Sequence, residues 1–233
     1  MKLPFIFAKR FVAGEGFSSS LPAAKQLNQA RHQLTLDLLG ENIHSRTQAE
    51  HNVKAYVGVL KGIKQHELLS GISIKLTMLG LDIDVEYCAD NLFSIMEYAR
   101  ANDQFVRIDM EGSTYTTLTL DLFKRAHAEY GSQHIGTVIQ AMLHRSKEDI
   151  AELAGLGADI RLVKGAYKES KKSAYQKMSD IREAFNKYAE ILINSSPFPR
   201  FGTHDDQLIR GVRSYLADYD IPSSRVEFQM LYG

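Results

Sequence analysis

The feature that most constrains this chain is an alternation of element types. Short apolar runs of β character alternate with longer stretches of helical period, at spacings of about 25 to 40 residues, the size of a βα unit. The β-like runs are Leu34–Leu39 (LTLDLL), Ile72–Leu76 (ISIKL), Phe105–Met110 (FVRIDM), Ile135–Met142 (IGTVIQAM), Asp159–Lys164 (DIRLVK), the segment PRFGTHDD and the closing SRVEFQMLYG. Helical patterns cover Thr47–Leu69, Val85–Ala101, Thr116–Tyr130, a stretch opening at Ser146, Tyr175–Asn194 and Gln207–Tyr219. Thr47 and Glu50 have the spacing of a capping box, and residues 1–33 read as a short helical lead.

Strands this short and this apolar are expected where both faces of a parallel sheet are covered. Two architectures accept the pattern, a doubly wound sheet and a (β/α)8 barrel. A dinucleotide-binding doubly wound domain carries G-x-G-x-x-G after its first strand. Here LLGEN follows the first run and the motif occurs nowhere. The expectation is therefore an α/β chain of the TIM-barrel class forming one domain over residues 1–233, with strands 1–7 between about residues 34 and 232. A closed barrel needs an eighth strand, so the polypeptide is expected to continue past Gly233.

Composition narrows the function. Lys plus Arg and Asp plus Glu both number 28, which gives no electrostatic footprint for nucleic acid. Cys88 is the single cysteine, so there is no disulfide framework or thiolate cluster and a reducing, cytoplasmic setting fits. No apolar run is long enough for a bilayer span, and no small-residue cleavage site follows the apolar patch in MKLPFIFAKRF.

Polar residues gather towards the same end of each run, where a barrel enzyme builds its site. They are Glu41, Lys75, Asp109 with Glu111, Gln140, Arg161 with Lys164 and Gly165, Thr203 with His204, and Glu227 with Gln229. Charges within buried strands are costly unless paired, so the set reads as functional. Lys75 can bind a carboxylate or form a Schiff base, with Asp109 as a candidate ion-pair partner. Arg161 offers a fork of donors to an anion or an electron-rich ring edge, or a salt bridge to Asp109 or Glu111. Lys164-Gly165 permits close backbone approach to a phosphate. His204-Asp205-Asp206 lacks further ligands at metal spacing, so no metal is expected.

In order, DLLGE, ISIKLTMLG, VRIDMEGS, TVIQAMLHR, IRLVKGAY, GTHD and EFQMLYG resemble the strand motifs of proline dehydrogenase, which occurs alone or as a domain of bifunctional proline-utilisation flavoenzymes. The resemblance runs from about Phe7 to Gly233. It implies a distorted (β/α)8 barrel that binds FAD without a dinucleotide fingerprint. It further implies that L-proline is oxidised to Δ1-pyrroline-5-carboxylate by hydride transfer from C5 to the flavin, with electrons passed to a membrane quinone through transient peripheral contact.

By the same resemblance, Lys75 contacts the proline carboxylate, Asp109 lies at the reaction centre and Arg161 sits near the reactive flavin nitrogen. Met110, Gln140, Lys164, Gly165, Ala166, Thr203 and His204 match flavin-contacting positions. Glu41 matches a gate glutamate, and Tyr167 and Leu231 match pocket walls. The family's last strand and helix, with two adjacent arginines for the carboxylate, follow EFQMLYG and are not in this sequence, so the chain as it stands is expected to be inactive. Two other readings remain: a Schiff-base lyase using Lys75 or Lys164, and a non-catalytic flavin-binding barrel. Hydroxyproline stays open as a substrate, and the short lead favours the monofunctional form.

Overall fold

The computed structural model describes residues 9–40 and 43–233. The elements run α1 (Phe17–Gln29), β1 (Leu34–Asp37), α2 (Arg46–Gln65), β2 (Ser70–Ile74), α3 (Val85–Ala101), β3 (Val106–Ile108), α4 (Thr116–Tyr130), β4 (Ile135–Gln140), α5 (Ser146–Gly155), β5 (Asp159–Val163), α6 (Met178–Ser195), β6 (Arg200–Gly202), α7 (Asp206–Asp218) and β7 (Glu227–Gln229). The strand order is β1 to β7 in sequence, and the pairings of β1 with β2 and of β4 through β7 are parallel. This is the α/β architecture of the distorted TIM-barrel class that the alternation predicts. The chain divides into two compact units, residues 1–107 with 231–233, and residues 108–230.

In the first unit, α2 and α3 pack on one another and α2 packs on β2. Tyr56, Leu60, Ile72, Ile74, Leu76, Leu92 and Ile95 are buried there. Each such side chain contributes about 1.5–3 kcal/mol by leaving water. The cap of α3 is Asp84, whose carboxylate accepts from the Tyr87 amide at 2.8 Å, and the helix spans the residues its pattern predicts. For α2 the Thr47–Glu50 box is not the cap. Ser45 caps it instead, accepting from Gln48 N at 3.3 Å, while the Gln48 side chain accepts from His44 N at 3.1 Å. The capping residue therefore lies two positions earlier than predicted.

In the second unit, β4 is buried along its full length. Phe185, Phe201 and Phe228 form an aromatic run linking α6, β6 and β7, with ring centroids 6.1 and 5.9 Å apart. Helix α6 starts at Met178 rather than Tyr175. The preceding residues are engaged elsewhere: Tyr175 N donates to Met142 O at 2.8 Å, and Ala174 forms an antiparallel bridge with Leu143. A backbone amide committed to a neighbouring segment cannot also open a helix.

Candidate active site

The strand ends place most of the predicted polar residues where the pattern puts them. Asp37 ends β1, Gln140 ends β4 and Gln229 ends β7, while Lys75, Asp109, Lys164 and Thr203 are the first residues past β2, β3, β5 and β6. Two predicted residues differ. Arg161 lies in the middle of β5 and Glu227 opens β7, so they sit deeper in the sheet than a rim of strand ends.

In the first unit Lys75 pairs with Asp37, Nζ to Oδ2 at 2.8 Å. The register explains this. Asp37 is level with Ser73 on β2, and Lys75 is two residues further along the same face. Asp109 pairs with Arg161, the salt bridge offered for that arginine from sequence, while the partner seen on Lys75 that the sequence reading does not name is Asp37. Its signal was its alternation with Leu34 and Leu36 in LTLD. Glu41 lies outside the described residues, and Leu231 is 65% exposed.

The second unit holds a series of linked polar side chains. Arg161 Nη1 donates to Asp109 Oδ1 at 3.1 Å, and both side chains are largely buried. Arg161 Nε donates to the Gln229 side-chain oxygen. The Gln229 amide nitrogen donates to Glu227 Oε1, and Glu227 Oε2 accepts from Arg200 Nη1. Arg200 Nε reaches both oxygens of Asp159 at 3.0 and 2.9 Å. Burial opposes the charge on Arg200, but the Asp159 and Glu227 carboxylates outweigh it and hold its pKa above the ordinary value.

A second cluster follows β5 and β6. Asp205 Oδ2 accepts from Lys164 Nζ at 3.0 Å and from Arg182 Nε at 2.9 Å, while Oδ1 caps α7 through Gln207 N at 3.1 Å. Burial works against the Asp205 charge, yet the hydrogen bonds from Lys164, Arg182 and the Gln207 amide prevail and lower its pKa to about 2. Two cations on one carboxylate leave a net positive site beside a helix N-terminus, the chemistry an anionic group requires. Neither Asp205 nor Arg182 was singled out as part of this cluster. Arg182 is 18 residues past Lys164 in sequence, so only the fold joins them.

Gly165 has φ +108°, and a Cβ there would come within 2.5 Å of Met142 Sδ. The turn after Lys164 therefore requires glycine. Ala166 and His204 are exposed, while Met110 and Thr203 are buried. Thr203 Oγ1 accepts from Asp205 N at 3.0 Å. Tyr167 packs against Met142, Leu143 and Ala174. Gln140 is buried and donates from Nε2 to Glu111 O at 2.9 Å. One tie escaped the sequence altogether. Glu169 accepts from both Ser113 N, at 2.7 Å, and Ser113 Oγ, holding the segment after β5 to the segment after β3.

An α/β chain of the TIM-barrel class, with paired charges and amides at the carboxyl ends of its strands, has the construction of a barrel enzyme. The comparisons with known proteins make the class particular. The family model described as proline dehydrogenase matches residues 20–233. Proline dehydrogenase 2 of Bacillus subtilis subsp. natto is 37% identical over 98% of this chain and 74% of its own length. Proline dehydrogenase of Deinococcus radiodurans is 32% identical over 97% of this chain and 74% of its own. The chain belongs to the proline dehydrogenase family, oxidoreductases that open proline catabolism. Among solved structures, proline utilization A from Bdellovibrio bacteriovorus superimposes with a TM-score of 0.86 at 24% identity, over 97% of this chain and 28% of that one.

Proposed function

We propose that this chain oxidises L-proline with FAD as its bound cofactor, and that the Asp109–Arg161 pair with Gln229 marks the reaction centre. The observation that carries the reading is the Arg161 guanidinium, fixed by Asp109 at 3.1 Å and by the side-chain carbonyl of Gln229 at the end of β7. Bound there, the flavin supplies the acceptor for the hydride that leaves C5 of proline. The donor set fits such a group: Arg161 for the ring, Gln140 for its edge, and the cationic cluster of Lys164 and Arg182 for its phosphates. Met110, Gly165, Ala166, Thr203 and His204 complete the set by family resemblance.

The roles proposed for the chain's own residues come from the family resemblance and fit their chemistry. Lys75 holds the proline carboxylate. As the C5–H bond breaks, the lone pair of the neutral amine forms the C=N bond, and the resulting iminium releases its N–H proton to water to give Δ1-pyrroline-5-carboxylate. Arg161 stabilises the negative charge created on the acceptor side, an electrostatic role prepared before reaction. Asp109 orients Arg161. By family resemblance, Tyr167 and Leu231 would line the pocket and Glu41 would serve as a gate. Both lysines named for a Schiff base, Lys75 and Lys164, sit in ion pairs with Asp37 and Asp205. An ammonium so held binds anions rather than attacking carbonyls.

We take residues 1–233 as one barrel domain of a cytoplasmic enzyme whose electrons leave to a membrane quinone. No helix among the described residues is long and apolar enough to cross a membrane, so that exchange would be peripheral. The test is the visible spectrum of the purified protein under anaerobic conditions, before and after L-proline. A flavin band that bleaches with proline is the expected result. A flavin band unmoved by proline at saturating concentration overturns the reading.

A further inference from the structure

Gln229 has an ambiguous side chain. Its carbonyl and amide ends are nearly the same shape, yet one accepts hydrogen bonds and the other donates. Arg161 can only donate, so it is satisfied by one orientation of Gln229 and opposed by the other. Nothing in Gln229 chooses between them. The choice comes from the other end of the side chain, where Nε2 meets Glu227 Oε1. A carboxylate accepts only, so it holds the amide nitrogen and turns the carbonyl towards Arg161.

Glu227 is itself held in place. It shares a strand face with Gln229 at a spacing of two residues. Arg200, level with Glu227 in the β6–β7 register, donates to its second oxygen, and Asp159 fixes Arg200 with both of its own. Donor and acceptor senses are consistent along the whole series. Asp159 accepts from Arg200, Arg200 donates to Glu227, Glu227 accepts from Gln229, and Gln229 accepts from Arg161. The series begins at the first residues of β5, β6 and β7 and ends at the guanidinium assigned to the reaction centre.

We propose that Glu227 is a positioning residue that sets the orientation of the Gln229 amide and thereby the hydrogen-bonding state of Arg161. The consequence for catalysis rests on the proposed flavin role of Arg161, whereas the orientation itself does not. Glu227→Gln should reverse the relay. Arg200 would take the new carbonyl, leaving an amide nitrogen facing Gln229 Nε2, so Gln229 turns its own nitrogen towards Arg161. The exchange Glu227→Gln/Gln229→Glu restores every donor–acceptor match while keeping the same total charge: the carboxylate at 229 accepts from Arg161 and from the amide at 227, whose carbonyl accepts from Arg200.

The experiment uses flavin-loaded protein labelled with 15N-arginine, comparing wild type, Glu227→Gln and the exchange variant at matched melting temperatures. Arg161→Lys identifies the Arg161 Nε–H signal. The expected result is a slowly exchanging Nε–H in wild type, its loss in Glu227→Gln and its return in the exchange variant. The rate constant for flavin reduction by proline should fall about tenfold and recover in parallel, the scale of one hydrogen bond to a charged group. If Glu227→Gln does not fold, Glu227→Ala, which removes the acceptor without adding a donor, is read in its place. A protected signal in the single variant overturns the proposal, and so does a signal that the exchange variant fails to restore. If proline does not reduce the flavin even in wild type, the functional reading falls while the Arg161 signal still decides the relay.

Discussion

The side chain of Arg161 crosses β6 at Gly202. A Cβ at residue 202 would lie 3.3 Å from Arg161 Cδ and 2.9 Å from Val163 Cγ1. Gly202 is level with Val163 on one neighbouring strand and with Gln229 on the other, so the missing side chain is what lets a residue on β5 reach one on β7. Gly202→Ala should slow reduction modestly, because the arginine stem can yield by a few tenths of an ångström but the stiff Val163 side chain must shift. Gly202→Val should push the guanidinium aside and slow flavin reduction by up to about 100-fold, the cost of misplacing a catalytic group by about an ångström. Stopped-flow reduction by proline checks this, and wild-type rates in the valine variant would show that Arg161 takes another route.

Lys75 and Asp37 form an ion pair in which the lysine is largely buried and the aspartate is open to solvent. Lys75→Ala should raise the KM for proline by about tenfold to a hundredfold, the worth of one charge-assisted contact, while flavin content stays unchanged. Asp37→Asn keeps an acceptor for the ammonium and should cost less. Equal effects of the two substitutions would mean that the pair serves folding rather than substrate.

Asp205 links pH to stability. Its folded pKa of about 2 lies below its ordinary value of 3.8. The unfolded chain therefore binds the proton more readily, and the stabilisation is present above about pH 4 and lost as pH falls towards 2. Its size is about 2 kcal/mol. Asp205→Asn should lower the denaturant midpoint at pH 7 and flatten the acid limb of the stability profile. An unchanged acid limb in this variant would place the proton uptake elsewhere.

Cys88 is fully buried, its thiol 3.5 Å from Leu76 O. A buried thiol in apolar surroundings is inert. The native protein should show no reaction with a thiol reagent over minutes, and about one equivalent should react after denaturation. Rapid labelling of the native fold would mean that α3 opens locally.

Legibility followed the range of the forces. Helices α3 and α4 span the predicted residues because their limits are local: Asp84 caps one, and Gly131, with φ +68°, ends the other. The strand ends were legible because a parallel strand covered on both faces is an unbroken apolar run, so its polar edge is conspicuous. Pairing was legible in part. The Arg161–Asp109 bridge is one of the alternatives the sequence offers, whereas Asp37 as a partner of Lys75, and Asp205 with Arg182 beside Lys164, come from the register and the fold.

The order and type of elements, the family and polar residues at most strand ends were written in the sequence, because periodicity and caps act over a few residues. Most of the pairing was not. The links of Gln229 to Arg161, Lys164 to Asp205 and Glu169 to Ser113 join residues 68, 41 and 56 positions apart. Partners at that separation are chosen by strand register and by the space a glycine leaves open, and both exist only once the sheet has formed.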